Sequence, residues 1–222
     1  IIKLIKRIKK SKITNKIVVC TSTNNGDNDL CELLENNNID FFRGHELDVM
    51  SRFLEVAKKI NAKTIVRATG DNPLTDPIIM DEMIDEHLSA GFEYTYTSDL
   101  PHGTRSEIIQ TDTLKKCHKM LRDKNSTEYM TWMLNRPDHF KVNRFEVINN
   151  NLKRADISLT VDTLEDFNLI SKLYQEYSGD PPVLEDIIQY YDSLPNKYKR
   201  RDVDKHLSAK LNEINYKFLS DN

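Results

Sequence analysis

The sequence predicts an α/β fold, an open and mostly parallel mixed sheet flanked by helices. Two observations predict it. Short β-branched apolar runs, KIVVCT over 16–21 and KTIVRA over 63–68, alternate with stretches whose apolar residues recur at helical spacing. That alternation builds a sheet with helices on both faces. The second observation is size: 222 residues suffice for one large domain, or a domain with an appendage.

Taken in order, residues 1–10, IIKLIKRIKK, place Ile1, Ile2, Leu4, Ile5 and Ile8 on one face and predict a helix that buries it. The run 16–21 is a buried strand, and 27–34 a helix ended by Asn36, Asn37 and Asn38. A short strand over 39–42 precedes a helix over 48–60, where Val49, Phe53, Val56, Ala57 and Ile60 share a face. After the strand at 63–68, Asp76-Pro77 starts a helix that runs to about Ala90, because Asp caps free N–H groups and Pro suits the first helical position. Residues 92–97 are strand-like.

The second half changes order. A turn at Pro101-His102-Gly103 leads to a strand over 104–109, helices over 111–122 and 126–134, and strands over 140–147 and 157–161. This mixture predicts a small α/β arm within about 100–150. Helices over 163–177 and 184–193 close a main domain of residues 1–194, and 195–222 is a polar helix or tail with a basic run at 197–201.

Composition narrows the function. Charged residues make up 30% and the net charge is −3, so no general basic field draws the chain to nucleic acid. No apolar run approaches the ~18 residues of a membrane span. Cys20, Cys31 and Cys117 are odd in number and lack metal-site spacing, which fits a reducing, cytoplasmic setting. His118 and His139 have no partner at ligand spacing, and no GxGxxG, P-loop, HExxH or GxSxG motif occurs.

In open α/β sheets ligands sit beyond the carboxyl ends of the strands. Four strand ends carry suitable chemistry. Thr21-Ser22-Thr23 offers hydroxyls, although a capping turn explains it equally. Arg67-Ala68-Thr69-Gly70-Asp71-Asn72 lets backbone approach a ligand and projects a carboxylate, although Gly-Asp-Asn-Pro also suits a plain turn. Thr160-Val161-Asp162 ends another apolar run, and the capping-box spacing of Thr163 and Asp166 leaves Asp162 over. Together Asp71 and Asp162 can hold one Mg²⁺ with waters and substrate phosphates. His102-Gly103-Thr104-Arg105-Ser106-Glu107 is the fourth, a charged loop in which Arg105 can fork onto an anion and Glu107 accept a hydroxyl. Asp27-Asn28-Asp29 has a metal-binding look, but it opens a helix and reads as a cap.

The motifs KIVVCTST, FFRGHELDVMSRFLEVAKK, VRATGDNPLTDP, HGTRSEI and LTVDTLEDFNLI, in this order over roughly 1–178, resemble the cytidylyltransferase superfamily. They resemble in particular its SpsF-like branch, related more distantly to CMP-sialic acid and CMP-Kdo synthetases. The resemblance implies a GT-A-like fold and a Mg²⁺-dependent transfer of CMP from CTP to a small sugar, sugar acid or polyol for surface polysaccharide synthesis, with pyrophosphate released. By it, Asp71 and Asp162 hold the metal, Ser22, Arg52, Thr69 and Gly70 line the nucleotide site, and His102, Arg105, Glu107 and Glu128 face the acceptor, with Arg105 also catalytic. It implies a homodimer as well.

The sequence departs from the family pattern in three places. Thr104-Arg105 stands where relatives often have an apolar residue then Asp, and Tyr129 where His is frequent. The family opens with a strand and a loop of the type A-R-x-x-S-x-R-L-P-G-K that cradles the CTP phosphates, whereas residues 1–10 match the helix after it. The first strand is therefore expected to be missing here. Losing several charge-assisted hydrogen bonds, at about 1.5–3 kcal/mol each, predicts little or no turnover by this chain alone. Two other readings stay open: a glycosyltransferase using a nucleotide sugar on the same kind of fold, and a non-catalytic binding module.

Overall fold

The computed structural model describes residues 1–177, 183–194 and 218–219. Helix α1 (Ile2–Ile8) buries Leu4, Ile5 and Ile8, as its spacing predicts, and also buries Arg7. Arg7 is 2% exposed; its Nε donates to the Thr75 carbonyl at 2.8 Å and its Nη2 to Asp76 Oδ2 at 3.3 Å. A buried cation requires such partners. Strand β1 (Val19–Ser22) then leads through a 3-10 turn and α2 (Asn28–Asn36) to β2 (Phe41–Gly44), which pairs parallel to β1.

Helix α3 (Val49–Ile60) is capped by Asp48 and ends on Asn61 at φ 54°. It packs across β1 and β2 and delivers β3 (Thr64–Arg67). Asp76 caps α4 (Pro77–Ala90) by accepting from the N–H groups of Ile78 and Ile79, with Pro77 at the first turn, as the Asp-Pro pair predicts. The later elements are β4 (Tyr94–Tyr96), β5 (Glu107–Gln110), α5 (Thr111–Met120), α6 (Met130–Leu134), β6 (Val142–Arg144), α7 (Leu164–Glu176) and α8 (Leu184–Ser193).

The α/β class holds, with parallel pairs flanked by helices, but among the described residues the strands form two sheets. One is β1-β2; the other runs β3-β5-β4-β6. Parallel pairing occurs in β1/β2 and β4/β6, while β5 is antiparallel to both β3 and β4. The reason is local: β4 connects to β5 by a loop with no helix, so the chain doubles back. The strand expected over 157–161 is extended but pairs with loops. His102 N–H donates to the Ile157 carbonyl, Leu159 N–H to the His102 carbonyl and Val161 N–H to the Asp71 carbonyl. Strands β5 and β6, from the region expected to form an arm, pair within the four-stranded sheet. The polar tail lies outside the described residues apart from Phe218 and Leu219; Phe218 is buried and bridges to Leu121.

Two apolar clusters sandwich this sheet. Ile108 belongs to the cluster with Leu4, Met80, Met83, Leu169, Leu173 and Ile187, and Ile109 to that with Met50, Leu114, Met130 and Phe140. Adjacent residues of β5 thus feed opposite cores, as the period of two in a strand requires.

Candidate active site

Asp71 lies in the exposed turn after β3, and Asp162 just before α7. The bond from Val161 N–H to the Asp71 carbonyl, 2.9 Å, sets the two segments side by side at one end of the sheet. The turn is braced internally. Asn72 Nδ2 donates to Thr69 Oγ1 at 2.6 Å, and the Asn72 N–H donates to the Thr69 carbonyl at 3.0 Å. Beyond Asp162, Thr163 and Asp166 form the capping box that their spacing predicts. Among the described residues no group of three or more His, Cys, Asp and Glu side chains could hold a metal. Carboxylate oxygens are the hard ligands that suit Mg²⁺, which keeps several waters and takes the rest of its shell from substrate phosphates.

The loop over 102–107, expected from the resemblance to face the acceptor, is fastened to both of these segments. Asp76 N–H donates to the Thr104 carbonyl at 2.9 Å, and His102 bridges to Ser158. Gly103, at φ +89°, permits the close approach: a Cβ there would lie 2.4 Å from Thr160 N. Arg105 turns inward in this structure, its Nε and Nη2 both donating to the Leu100 carbonyl at 2.9 and 2.5 Å. Those donors hold the loop rather than forking outward.

Glu107 is buried and its carboxylate has two partners, Arg67 through Oε2 and the Tyr94 hydroxyl through Oε1. Burial and the adjacent Glu107 charge push the Tyr94 phenol well above its ordinary value, so it stays a donor. Arg67 also donates to the Glu128 carbonyl at 3.1 Å, which brings Glu128 to the end of β3 with its side chain exposed. Arg67 is the organiser that sequence reasoning missed; its place as the last residue of β3 is the signal that could have found it.

Ser22 and Arg52 form a second group, at the end of β1. The Ser22 hydroxyl and N–H both donate to Asp27 Oδ2, at 2.6 and 2.8 Å, and Thr21 Oγ1 donates there at 2.6 Å. Those hydrogen bonds, from Ser22 first, pull the Asp27 carboxyl down to about 2. Asp27 thus ties the turn together. Arg43 fastens the same turn to β2 through the Ser22 and Asn24 carbonyls, at 2.9 and 2.7 Å. Arg52 packs over Gly44, where a Cβ would meet its Cγ at 2.8 Å, and its buried Nε has no hydrogen-bond partner among the described residues. Cys20 and Gly70 line one shared cavity. His118 pairs with Asp48 at 2.7 Å, a fold contact rather than a ligand pair.

Similarity to known proteins shows the family. The cytidylyltransferase family profile matches residues 1–186. The chain is 29% identical over 208 residues to the spore coat polysaccharide biosynthesis protein SpsF of Bacillus subtilis, covering 90% of this chain and 86% of that one. Among solved structures, a cytidylyltransferase from Leptospira borgpetersenii superimposes with a TM-score of 0.79 at 26% identity, over 90% of this chain and 85% of its own. A CMP:2-keto-3-deoxy-manno-octonic acid synthetase complexed with CTP shares the fold, with a TM-score of 0.59 at 11% identity, over 79% of this chain and 88% of its own. With the Asp71 and Asp162 segments adjacent at one end of the sheet and the family profile covering most of its length, the chain belongs to the cytidylyltransferase family, a family of nucleotidyltransferase enzymes.

Proposed function

We propose that this protein transfers CMP from CTP to a small sugar-like acceptor, a sugar, sugar acid or polyol or its phosphate, with pyrophosphate as the leaving group, in cytoplasmic synthesis of a surface polysaccharide. The observation that carries the reading is the Val161-to-Asp71 backbone bond, which sets Asp71 and Asp162 at one sheet end. The SpsF relative's name supports the polysaccharide context.

In this reading Asp71 and Asp162 hold Mg²⁺, which supplies charge neutralisation at the phosphoryl oxygens. Thr69 and Gly70 let the nucleotide approach the backbone, and Ser22 and Arg52 border the cytidine. Glu107, braced by Arg67 and Tyr94, together with His102, Arg105 and Glu128 borders the acceptor, whose hydroxyl or phosphate attacks the α-phosphorus. Positioning and electrostatics are the main demands of phosphoryl-type transfer, so little covalent chemistry falls to the protein. The functional unit is a homodimer in this proposal.

The test is pyrophosphate release from CTP and Mg²⁺, with a panel of sugar, sugar-acid and polyol-phosphate acceptors, by a chain that carries the family's opening strand and phosphate loop ahead of Ile1. The variants are made in that chain. Asp71→Ala and Asp162→Ala should each lower turnover by more than the ~100-fold typical of losing an outer-sphere partner. Retained turnover in either variant sinks the metal assignment. Release of a nucleoside diphosphate from a nucleotide sugar, with none of pyrophosphate from CTP, would replace cytidylyl transfer by glycosyl transfer.

A further inference from the structure

Helix α6 and the turn before it carry an aromatic pair that stands outside both apolar clusters. The helix buries Met130, Met133 and Leu134, which join the cluster around Ile109. Those three share one helix face. Tyr129 and Trp132 stand off it, three residues apart and so neighbours on the helix surface. Their rings stack with centroids 5.2 Å apart and 11° between planes, and both side chains are half-buried. Trp132 is the only tryptophan of the chain. Tyr129 stands where relatives often have His, so the ring pair is no part of the family pattern.

Arg67 ties this pair to the end of β3. Its Nη2 donates to the Glu128 carbonyl at 3.1 Å, one residue before Tyr129, and its Nη1 to Thr131 Oγ1 at 3.5 Å, one residue before Trp132. The same Nη1 pairs with buried Glu107. Both rings are thus anchored beside Glu107, with Glu128 next to them in the chain. An aromatic face beside carboxylates is the chemistry that recognises a sugar ring: the negative face draws polarised C–H groups, and carboxylate oxygens accept hydroxyls. Charge selects among such rings. Glu128 is exposed next to the stack and both terminal nitrogens of Arg67 are engaged, so a phosphate or carboxylate on the ring would meet repulsion. An acyclic polyol has no flat C–H face to offer.

We propose that the Tyr129–Trp132 stack is a platform for an uncharged pyranose, and that it narrows the acceptor to a cyclic sugar. The inference rests on the CMP-transfer reading, in which Glu107 and Glu128 border the acceptor. One C–H face of the sugar lies flat on the stack while hydroxyls at its edge reach Glu128. Linear polyols, sugar acids and sugar phosphates bind less well, because they lack that face or bring a further negative charge. The rings are already stacked in the ligand-free chain, so little side-chain ordering opposes binding.

Trp132 reports the contact directly, so the first test needs neither CTP nor Mg²⁺. Its fluorescence is followed while mannose, galactose, N-acetylglucosamine and N-acetylmannosamine are added, with mannitol and galactitol as acyclic controls and glucuronate as the charged one. At least one pyranose should give a saturable change and bind about fivefold or more tightly than the alditols and glucuronate. Tyr129→Phe, which keeps the ring, should bind as the parent does. Tyr129→Leu, which keeps apolar bulk without the ring, should bind about fivefold or more weakly. No saturable change with any pyranose overturns the proposal, as does equal binding of an alditol or undiminished affinity in Tyr129→Leu. Cytidylyl transfer is judged separately, in the chain extended ahead of Ile1. Ring-selective binding without pyrophosphate release supports the platform and overturns that reading. Pyrophosphate release as fast with mannitol as with mannose supports that reading and overturns the platform.

Discussion

Asp27 accepts three hydrogen bonds on one carboxylate oxygen, and these donors, not burial, hold its acid strength at about 2. Its folded value lies below the ordinary 3.8, so the stabilisation is present above about pH 3.8 and is lost as pH falls through about 2. Asp27→Asn should lower the urea midpoint at pH 7, and the gap to the parent protein should close between pH 4 and 2. A gap of constant size over that range would show that the carboxylate charge is not what the turn uses. Buried His87, held down to about 4 by desolvation with Nδ1 on Thr95, acts in a separate window: stability falls as pH drops from 6.5 toward 4, because only the unfolded chain takes up the proton readily. At this scale the Thr163–Asp166 capping box was legible, because its role follows from its place at a helix start. The Arg67–Glu107–Tyr94 cluster was not, since its members come from three strands distant in sequence.

Elements were legible where local signals agree. The Asp76-Pro77 start and Ala90 end of α4 match the sequence reading, because a cap, a constrained φ and the left-handed Gly91 at φ 63° act within a few residues. The segment over 157–161 has the composition of a strand yet carries only a single bridge, since its partners are the loops at His102 and Asp71. That docking depends on Gly103. A Cβ there would lie 2.4 Å from Thr160 N and 2.5 Å from the Leu159 carbonyl carbon, all backbone atoms, while φ stays at +89°. Gly103→Ala should cost at least the ~1–3 kcal/mol of a strained backbone, read as a lower urea midpoint, and should separate the His102 loop from Asp162. An unchanged midpoint would show that the two loops part without loss.

Over the whole molecule, protection should follow strand neighbours. Strand β5 is paired on both sides and has Ile108 and Ile109 fully buried, whereas β1 and β2 form a two-stranded sheet, a unit marginal by itself. Native-state hydrogen exchange should therefore find the slowest amides in β5 and the fastest strand amides in β1 and β2; equal protection would mean that the two sheets open as one unit, and the reverse order would overturn the ranking by strand neighbours. The amino-acid sequence by itself determined the α/β class, the place of most helices and the family, because periodicity, caps and short motifs act over a few residues. Tertiary structure decided the rest: the antiparallel β5, the division into two sheets, the inward turn of Arg105 and the meeting of the Asp71 and Asp162 segments. Each of those depends on which backbone groups find partners dozens of residues away, and local sequence carries no record of that choice.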